Sequence, residues 1–205
     1  MNKINYQKEL DKIIENAVKI GITPTLLLHS CCAPCSSYVL KYLSDFFKIT
    51  LVYFNPNIFP EEEYAKRVSE QERLIKELPV KNPITFIKGR YEPQEFFEKV
   101  RGLEKEPEGG ARCMVCYEMR MREAAILAKE GGYDYFTTTL SISPLKNAQK
   151  INEIGKALAV EYGVSHLPSD FKKKEGYKQS VELSAKYNLY RQNFCGCIFS
   201  KKENE

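Results

Sequence analysis

Between an apolar run and an amphipathic one, this chain packs three thiols into five residues. Thr25-Leu26-Leu27-Leu28 reads as a strand, Ser36 to Phe47 as a helix, and His29-Ser30-Cys31-Cys32-Ala33-Pro34-Cys35 joins them. A strand that hands over to a helix through a short reactive loop is an α/β unit, and it restricts what the rest of the chain can build. Two further groups answer it downstream, Cys113-Met114-Val115-Cys116 and Cys195-Gly196-Cys197. All seven cysteines fall in these three clusters. Thiols used as ordinary core would be scattered; these are collected.

The remaining elements follow the same alternation. Ile4, Leu10, Ile13, Ile14, Ala17 and Val18 recur near helical spacing over 3–20, Gly21 ends that helix, and Pro24 leads into the first strand. Ile49 to Phe54 is a β-branched and aromatic strand. Asn55 to Pro60 is its exit loop, with Pro60 expected at the first helical position and Glu61-Glu62-Glu63 facing the positive end of a helix running to about Leu78. A third strand is expected over Ile84–Ile87 and a helix through about Val100. The glycine-rich stretch 102–112 reads as a flexible loop delivering the second thiol pair to a helix over 114–130. Tyr135–Leu140 is the fourth strand and Ser141–Pro144 its exit loop. A helix over about 148–162, a short strand over Val164–Leu167 and a charged helix over roughly 172–190 complete the chain. This pattern predicts a single α/β domain over 1–205, with a mainly parallel sheet flanked by helices. Ligands of such sheets sit beyond the carboxyl ends of the strands. His29–Cys35, Asn55–Pro60 and Ser141–Pro144 all fall there, which predicts one site.

With 205 residues the chain is long enough for a full core. No run of about eighteen apolar residues exists to span a membrane, and the charged N-terminal segment lacks the apolar core of a signal peptide. The expected location is cytoplasmic, where thiols stay reduced. Seven is odd, so metal binding or redox chemistry fits better than a complete disulfide framework. The net charge of +4 permits a nucleic-acid partner without demonstrating one. Lys172, Lys173, Lys174, Lys178, Lys186 and Arg191 concentrate late in the chain and equally describe a solvated helix face.

The residues alone leave three chemistries open. Cys32-Ala33-Pro34-Cys35 before a helix has the form of a thioredoxin-type dithiol, but such an exchanger has no use for Cys31 or the other four thiols. Cys32/Cys35 and Cys113/Cys116 could close a four-sulfur zinc site, though the pairs are about eighty residues apart, unlike a local zinc ribbon. An iron–sulfur cluster takes thiolates from separated parts of a chain; four sulfurs saturate a cubane, and seven exceed it by three. The surplus suggests either a cluster with extra ligands nearby or a cluster beside a separate metal ion. His29, one of two histidines, is a candidate proton donor, metal ligand or loop hydrogen-bonder. Asp134, ahead of the fourth strand, is a candidate to orient a loop or approach the metal.

Taken together, these motifs resemble the cobalamin-independent epoxyqueuosine reductases. The resemblance lies in His29–Cys35, Tyr53-Phe54-Asn55-Pro56-Asn57-Ile58, Cys113–Cys116, Thr137–Pro144, Gly176-Tyr177-Lys178-Gln179-Ser180 and Leu189–Cys197, and it covers nearly the whole chain in order. It implies a Rossmann-like fold similar to the adenine nucleotide hydrolase and ATP pyrophosphatase (HUP) enzymes. Those enzymes have a Gly/Ser-rich phosphate cradle after the first strand. Here that place holds His29 to Cys35, so ATP use is not expected.

The implied reaction is the last step of queuosine synthesis, removal of the epoxide oxygen of epoxyqueuosine at the tRNA wobble position. The implied cofactors are a 4Fe-4S cluster and an additional metal ion, expected to be iron, acting as electron source and Lewis acid. Cys31, Cys32, Cys35, Cys113, Cys116, Cys195 and Cys197 are the expected ligands. Cys113 and Cys116 are expected on the cluster with part of the first motif, and Cys195 and Cys197 on the second metal. Tyr53, Asn55, Asn57 and Arg191 are candidates to hold the modified base. Lys172, Lys173, Lys174 and Lys178 are candidates for tRNA phosphates. An electron donor is required, and no residue identifies it.

Overall fold

The computed structural model describes residues 4–200. Its centre is a strand, β1 (Thr25–His29), with neighbours on both sides. The chain moves outward from it through β2 (Lys48–Tyr53) and β3 (Thr85–Lys88), then crosses to the opposite side of β1 for β4 (Tyr135–Thr138) and β5 (Ser165–His166). The order is β3-β2-β1-β4-β5 and every pairing is parallel. The expected Rossmann-like α/β sheet is therefore present. Its direction of progression reverses between β1 and β4, and at such a switch point the loops diverge and leave a crevice.

Side chains of a strand alternate between faces, so β1 supplies two cores at once. Leu26 and Leu28 join Ile49 and Leu51 on one face, under α1 (Tyr6–Lys19), α2 (Ala33–Leu43), α3 (Glu61–Glu77) and, later in the chain, a helix over Gly176–Lys186. Leu27, Val52 and Phe136 point the other way, under α4 (Pro93–Lys99), α5 (Ala111–Glu130) and α6 (Ala148–Tyr162). The Gly176–Lys186 helix, α7, lies against α2 at very close range. A Cβ on Gly176 would come 1.9 Å from the Phe171 carbonyl oxygen and 2.6 Å from the Tyr38 ring.

Several boundaries differ from expectation for local reasons. Helix α2 starts at Ala33, inside the thiol motif, because Pro34 in its first turn is preset for helix and its missing N–H goes unused there. Pro60 stands outside α3 as its extended N-cap (φ −75°, ψ −180°), so Glu61 is the first helical residue. Helix α5 begins at Ala111 and takes Cys113 into its first turn. Helix α7 covers only part of the expected 172–190, since Lys174 and Glu175 adopt positive φ. No helix of the described residues is long and apolar enough to cross a membrane.

Candidate metal centre

The three thiol motifs converge at the carboxyl end of β1 and β4. Cys31, Cys32 and Cys35 present their sulfurs within 4.8 Å of one another, with Cys31 and Cys32 3.9 Å apart. They line a pocket of about 320 Å³, together with Arg67, Arg120, Lys146 and Cys195. Tyr177, Ser180 and Arg191 form another part of its wall. Beside it is a small enclosed space lined by Cys113, Cys116, Cys195 and Cys197. All seven cysteines are free thiols. The structure thus divides them three and four, with Cys195 and Arg120 facing both spaces. The expected partition joined Cys113 and Cys116 to part of the first motif and put Cys195 and Cys197 on the second metal; the enclosed space gathers Cys113 and Cys116 with Cys195 and Cys197.

Each motif is held by its element. Cys113 and Cys116 are three apart on α5, hence on one face of its first turns. The loop ahead of them is not loose: buried Arg112 donates from Nη1 to the carbonyls of Leu103, Glu104 and Glu106 at 3.1, 2.7 and 2.5 Å. The Gly109 amide donates to Cys113 Sγ at 3.2 Å. The terminal motif is pinned from α3, where Arg67 donates to the Cys195 carbonyl at 3.1 Å and to that of Phe194 at 3.4 Å. Gly196 between its two thiols has φ +105°, a conformation side chains disfavour, and a Cβ there would lie 2.9 Å from both Arg67 and Ile58.

The first motif is supported from beneath. Tyr53 Oη donates to the Cys31 carbonyl at 3.3 Å, and Asn55 Nδ2 donates to the Ser30 carbonyl at 2.8 Å. Ser30 and Ser36 hydroxyls both donate to Gln71 Oε1, at 2.7 and 2.8 Å, tying the loop to α3. His29 is fully buried, with Nδ1 2.9 Å from Thr138 Oγ1 and Nε2 3.0 Å from the Phe54 carbonyl. Burial, reinforced by the Arg120 charge, pushes its pKa down to about 4. The ring is therefore neutral, with both nitrogens engaged, and it does not line the pocket. Tyr53, Asn55 and Asn57 do not line it either; all are buried behind the loop. Of the base-holding candidates, only Arg191 reaches the pocket.

The lysines divide as well. Lys172 pairs with Asp170 and reaches the Ser141 carbonyl at 3.4 Å, bracing the exit loop of β4. Lys174 pairs with Asp11 at 2.7 Å, and Lys178 stands 3.6 Å from Glu175. Asp134 lies at the opposite end of the sheet, accepting from the Thr25 amide and hydroxyl at 2.8 Å each, so it locks β4 to β1 far from the thiols.

Electrostatically the first motif favours one anionic sulfur among its three: Cys32 is pushed up to about 12 and Cys35 well above its ordinary value, first by their hydrogen bonds to Cys31. Hydrogen bonds from Cys32 and Cys35 hold the Cys31 thiol well below its ordinary pKa, and the Lys146 charge adds to this. Lys146 Nζ is 3.9 Å from Cys195 Sγ. Burial opposes the Lys146 charge, but the thiols of Cys195 and Cys31 outweigh it and raise its pKa. Cys116 is pushed up to about 12, chiefly by burial. Sequence reasoning passed over Arg67, Arg112, Arg120 and Lys146. One signal was available for Arg120: it follows Cys116 by four residues, which on a helix puts it on the thiol face.

Comparison with known proteins agrees with this geometry. Residues 26–203 match the family model described as epoxyqueuosine reductase QueH. The chain is 46% identical to the epoxyqueuosine reductase QueH of Staphylococcus epidermidis, over 97% of this chain and 85% of that protein. It is 44% identical to that of Streptococcus pyogenes, over 98% and 79%. For the Thermotoga maritima protein the identity is 34%, over 87% and 91%. By this match, which runs through all three thiol motifs, the chain belongs to the QueH family of epoxyqueuosine reductases.

Proposed function

We propose that this chain is a cytoplasmic, single-domain oxidoreductase that removes the epoxide oxygen of epoxyqueuosine in the tRNA anticodon, the last step of queuosine synthesis. The observation that carries the reading is the three-plus-four division of the thiols around two adjoining spaces, in a chain of this family. Loss of the oxygen as water leaves an alkene and consumes two electrons and two protons. A chain of ordinary side chains has no such electron source, so the chemistry asks for a metal centre.

The donor set fits one. A tetrahedral ion with thiolates at about 2.3 Å has its sulfurs about 3.8 Å apart, close to the 3.9 Å between Cys31 and Cys32. We therefore assign Cys31, Cys32 and Cys35 to a single additional ion, expected to be iron. Cys113, Cys116, Cys195 and Cys197 are four thiols around one enclosed space, the complement of a 4Fe-4S cluster. When loaded, a centre held by these two thiol groups would supply the electrons and a Lewis acid.

The protein's own part is to hold, orient and shield. Tyr53, Asn55 and His29 fix the backbone of the thiol loop, a positioning role rather than proton donation for His29. Of the four cations lining the pocket, Lys146 and Arg191 are the two that are not buried, and they suit the substrate oxygen and nearby phosphate. A volume of about 320 Å³ admits one unstacked base rather than a helix end. Tyr177, 40% exposed, offers it a stacking face. Lys173 and Lys178, with Lys172 and Lys174 behind their ion pairs, are assigned to tRNA backbone contacts. An electron-donating partner remains a requirement of the stoichiometry.

The test uses anaerobically purified chain, assayed for iron, zinc and acid-labile sulfide, then incubated with epoxyqueuosine-containing tRNA and a low-potential reductant. Sulfide with iron in excess of it, and conversion to queuosine, is the expected result. Zinc without sulfide in iron-replete cells, or persistent epoxide with a fully loaded centre, overturns the reading.

A further inference from the structure

Arg120 is 2% exposed, yet its hydrogen-bond partners are both uncharged. Nε donates to the Cys116 carbonyl at 3.1 Å and Nη1 to Asn55 Oδ1 at 3.3 Å. Nη2 has no partner among the described residues. A guanidinium cannot shed its proton, and a buried cation with no countercharge is strongly destabilising. Arg67, equally buried, is paired with Glu63 at 2.7 Å, and buried Arg112 is met by three backbone carbonyls, whereas Arg120 has no carboxylate and only two neutral acceptors. Around Arg120 stand Cys116, Cys195 and Cys31, one from each thiol motif, together with Tyr117, whose ring centroid is 5.9 Å from the guanidinium carbon. It also lines both spaces, the open pocket and the enclosed one.

We propose that Arg120 is the built-in counter-ion of the thiolate-bound centre, a permanent positive charge set between the three-thiol and four-thiol groups. Its buried cost is offset only when the sulfurs are anionic, so the fold and the loaded centre stabilise each other through it. A fixed cation favours the more negative, reduced state of the centre and therefore raises its reduction potential. Arg120 acts on the centre through its charge and not by ligation or proton transfer. Lys146 cannot substitute for it, because Lys146 stands at the open pocket and does not line the enclosed space. The inference rests on the metal reading above.

The experiment compares wild type with Arg120→Gln, Arg120→Lys, Asn55→Asp and Asn55→Ser, each assayed anaerobically with and without iron and sulfide loading. Two readouts are taken: the midpoint potential of the loaded protein, and the rise in Tm that loading produces. Arg120→Gln should lower the potential, shrink the Tm rise and weaken metal retention against a chelator by about 10-fold. Arg120→Lys should restore most of the potential. Asn55→Asp brings a carboxylate to the guanidinium but loses the Nδ2 donor to the Ser30 carbonyl, so it is read against Asn55→Ser, which loses that donor without adding charge. The potential should fall further in Asn55→Asp than in Asn55→Ser, even if Arg120→Gln does not fold. A potential no lower in Asn55→Asp than in Asn55→Ser, or an unchanged potential in Arg120→Gln with equal loss of Tm in loaded and metal-free forms, overturns the proposal and leaves the metal reading standing. Wild-type chain that takes up no iron or sulfide overturns both.

Discussion

Arg67 on α3 donates a hydrogen bond to the carbonyl of Cys195, 128 residues away, at 3.1 Å. Its Nε meanwhile binds Glu63 at 2.7 Å, one turn back on the same helix. The carboxylate aims the guanidinium, the guanidinium holds the last thiol motif, and the motif closes both spaces of the centre. A ligand loop with no regular secondary structure is thereby fixed by a helix. Replacing Arg67 with Ala is expected to cost about 1–3 kcal/mol in stability and about 10-fold or more in metal retention. Arg67→Lys should not rescue, because one ammonium cannot serve three acceptors in a planar fork. Urea unfolding and chelator competition check both points.

Gly176 sets the approach of α7 to α2. Since a Cβ would stand 1.9 Å from a backbone oxygen, no rotamer change can relieve it. Gly176→Ala is expected to destabilise by about 1–3 kcal/mol. It should also displace Tyr177 and Ser180, which wall the pocket, and so raise KM for tRNA more than it lowers the metal content. Gly155→Ala serves as a distant control; its Cβ would strike the His166 ring at 2.3 Å, away from the pocket.

How much of this was legible beforehand follows from which forces act locally. The strands β1 and β2 are short apolar runs between turn signals, and their parallel alternation with helices could be read directly. The thiol motifs were visible because cysteines are rare and clustered. The partition of those thiols was not, because it depends on where the 195–197 segment lands after crossing from α7 to α3, a purely tertiary fact. The buried arginines were hidden for a related reason. Arg67, Arg112 and Arg120 look like any surface cation until packing encloses them. Tyr53 and Asn55 were read either as holding the modified base or as a packed strand end, and their side chains bind the carbonyls of the thiol loop.

His166 predicts a pH dependence of stability. Its ring nitrogens are sealed and have no partner among the described residues, and burial, with the Lys156 charge adding, lowers its pKa to about 3. The ring packs 5.3 Å from Phe136 over the space left by Gly155. The unfolded chain titrates near 6.5, so between about pH 6.5 and pH 3 it binds a proton that the folded chain does not. Stability attributable to this residue is complete above that window and falls as pH drops through it, at up to about 1.4 kcal/mol per pH unit. His166→Phe should flatten that part of the pH–stability curve measured by urea unfolding.

The lysines can be separated by salt. Lys172 and Lys174 are held closely by Asp170 and Asp11, at 2.5 and 2.7 Å, whereas Lys178 stands 3.6 Å from Glu175 with both side chains exposed, so Lys173 and Lys178 are expected to carry the phosphate contacts. Neutralising both should reduce the slope of log K against log salt for tRNA binding by about 1.4, two contacts at about 0.7 each on single-stranded nucleic acid. An unchanged slope would make this segment a solvated surface only.

The thiol partition is tested by the thiol the two spaces share. Cys35 faces only the pocket, and Cys197 only the enclosed space, while Cys195 lines both. If the three-thiol group holds the additional iron and the four-thiol group a 4Fe-4S cluster, three serine variants should give three different analyses. Cys35→Ser should keep acid-labile sulfide and lose the iron in excess of it. Cys197→Ser should lose most of the sulfide, since a hydroxyl is a poor substitute for a soft thiolate ligand. Cys195→Ser should lose sulfide and also weaken the retained iron, because its sulfur lines the pocket of the three-thiol group as well as the enclosed space. Cys113→Ala should follow Cys197→Ser. Full sulfide in both Cys113→Ala and Cys197→Ser, with sulfide lost in Cys35→Ser, would reverse the assignment and place the cluster on the first motif.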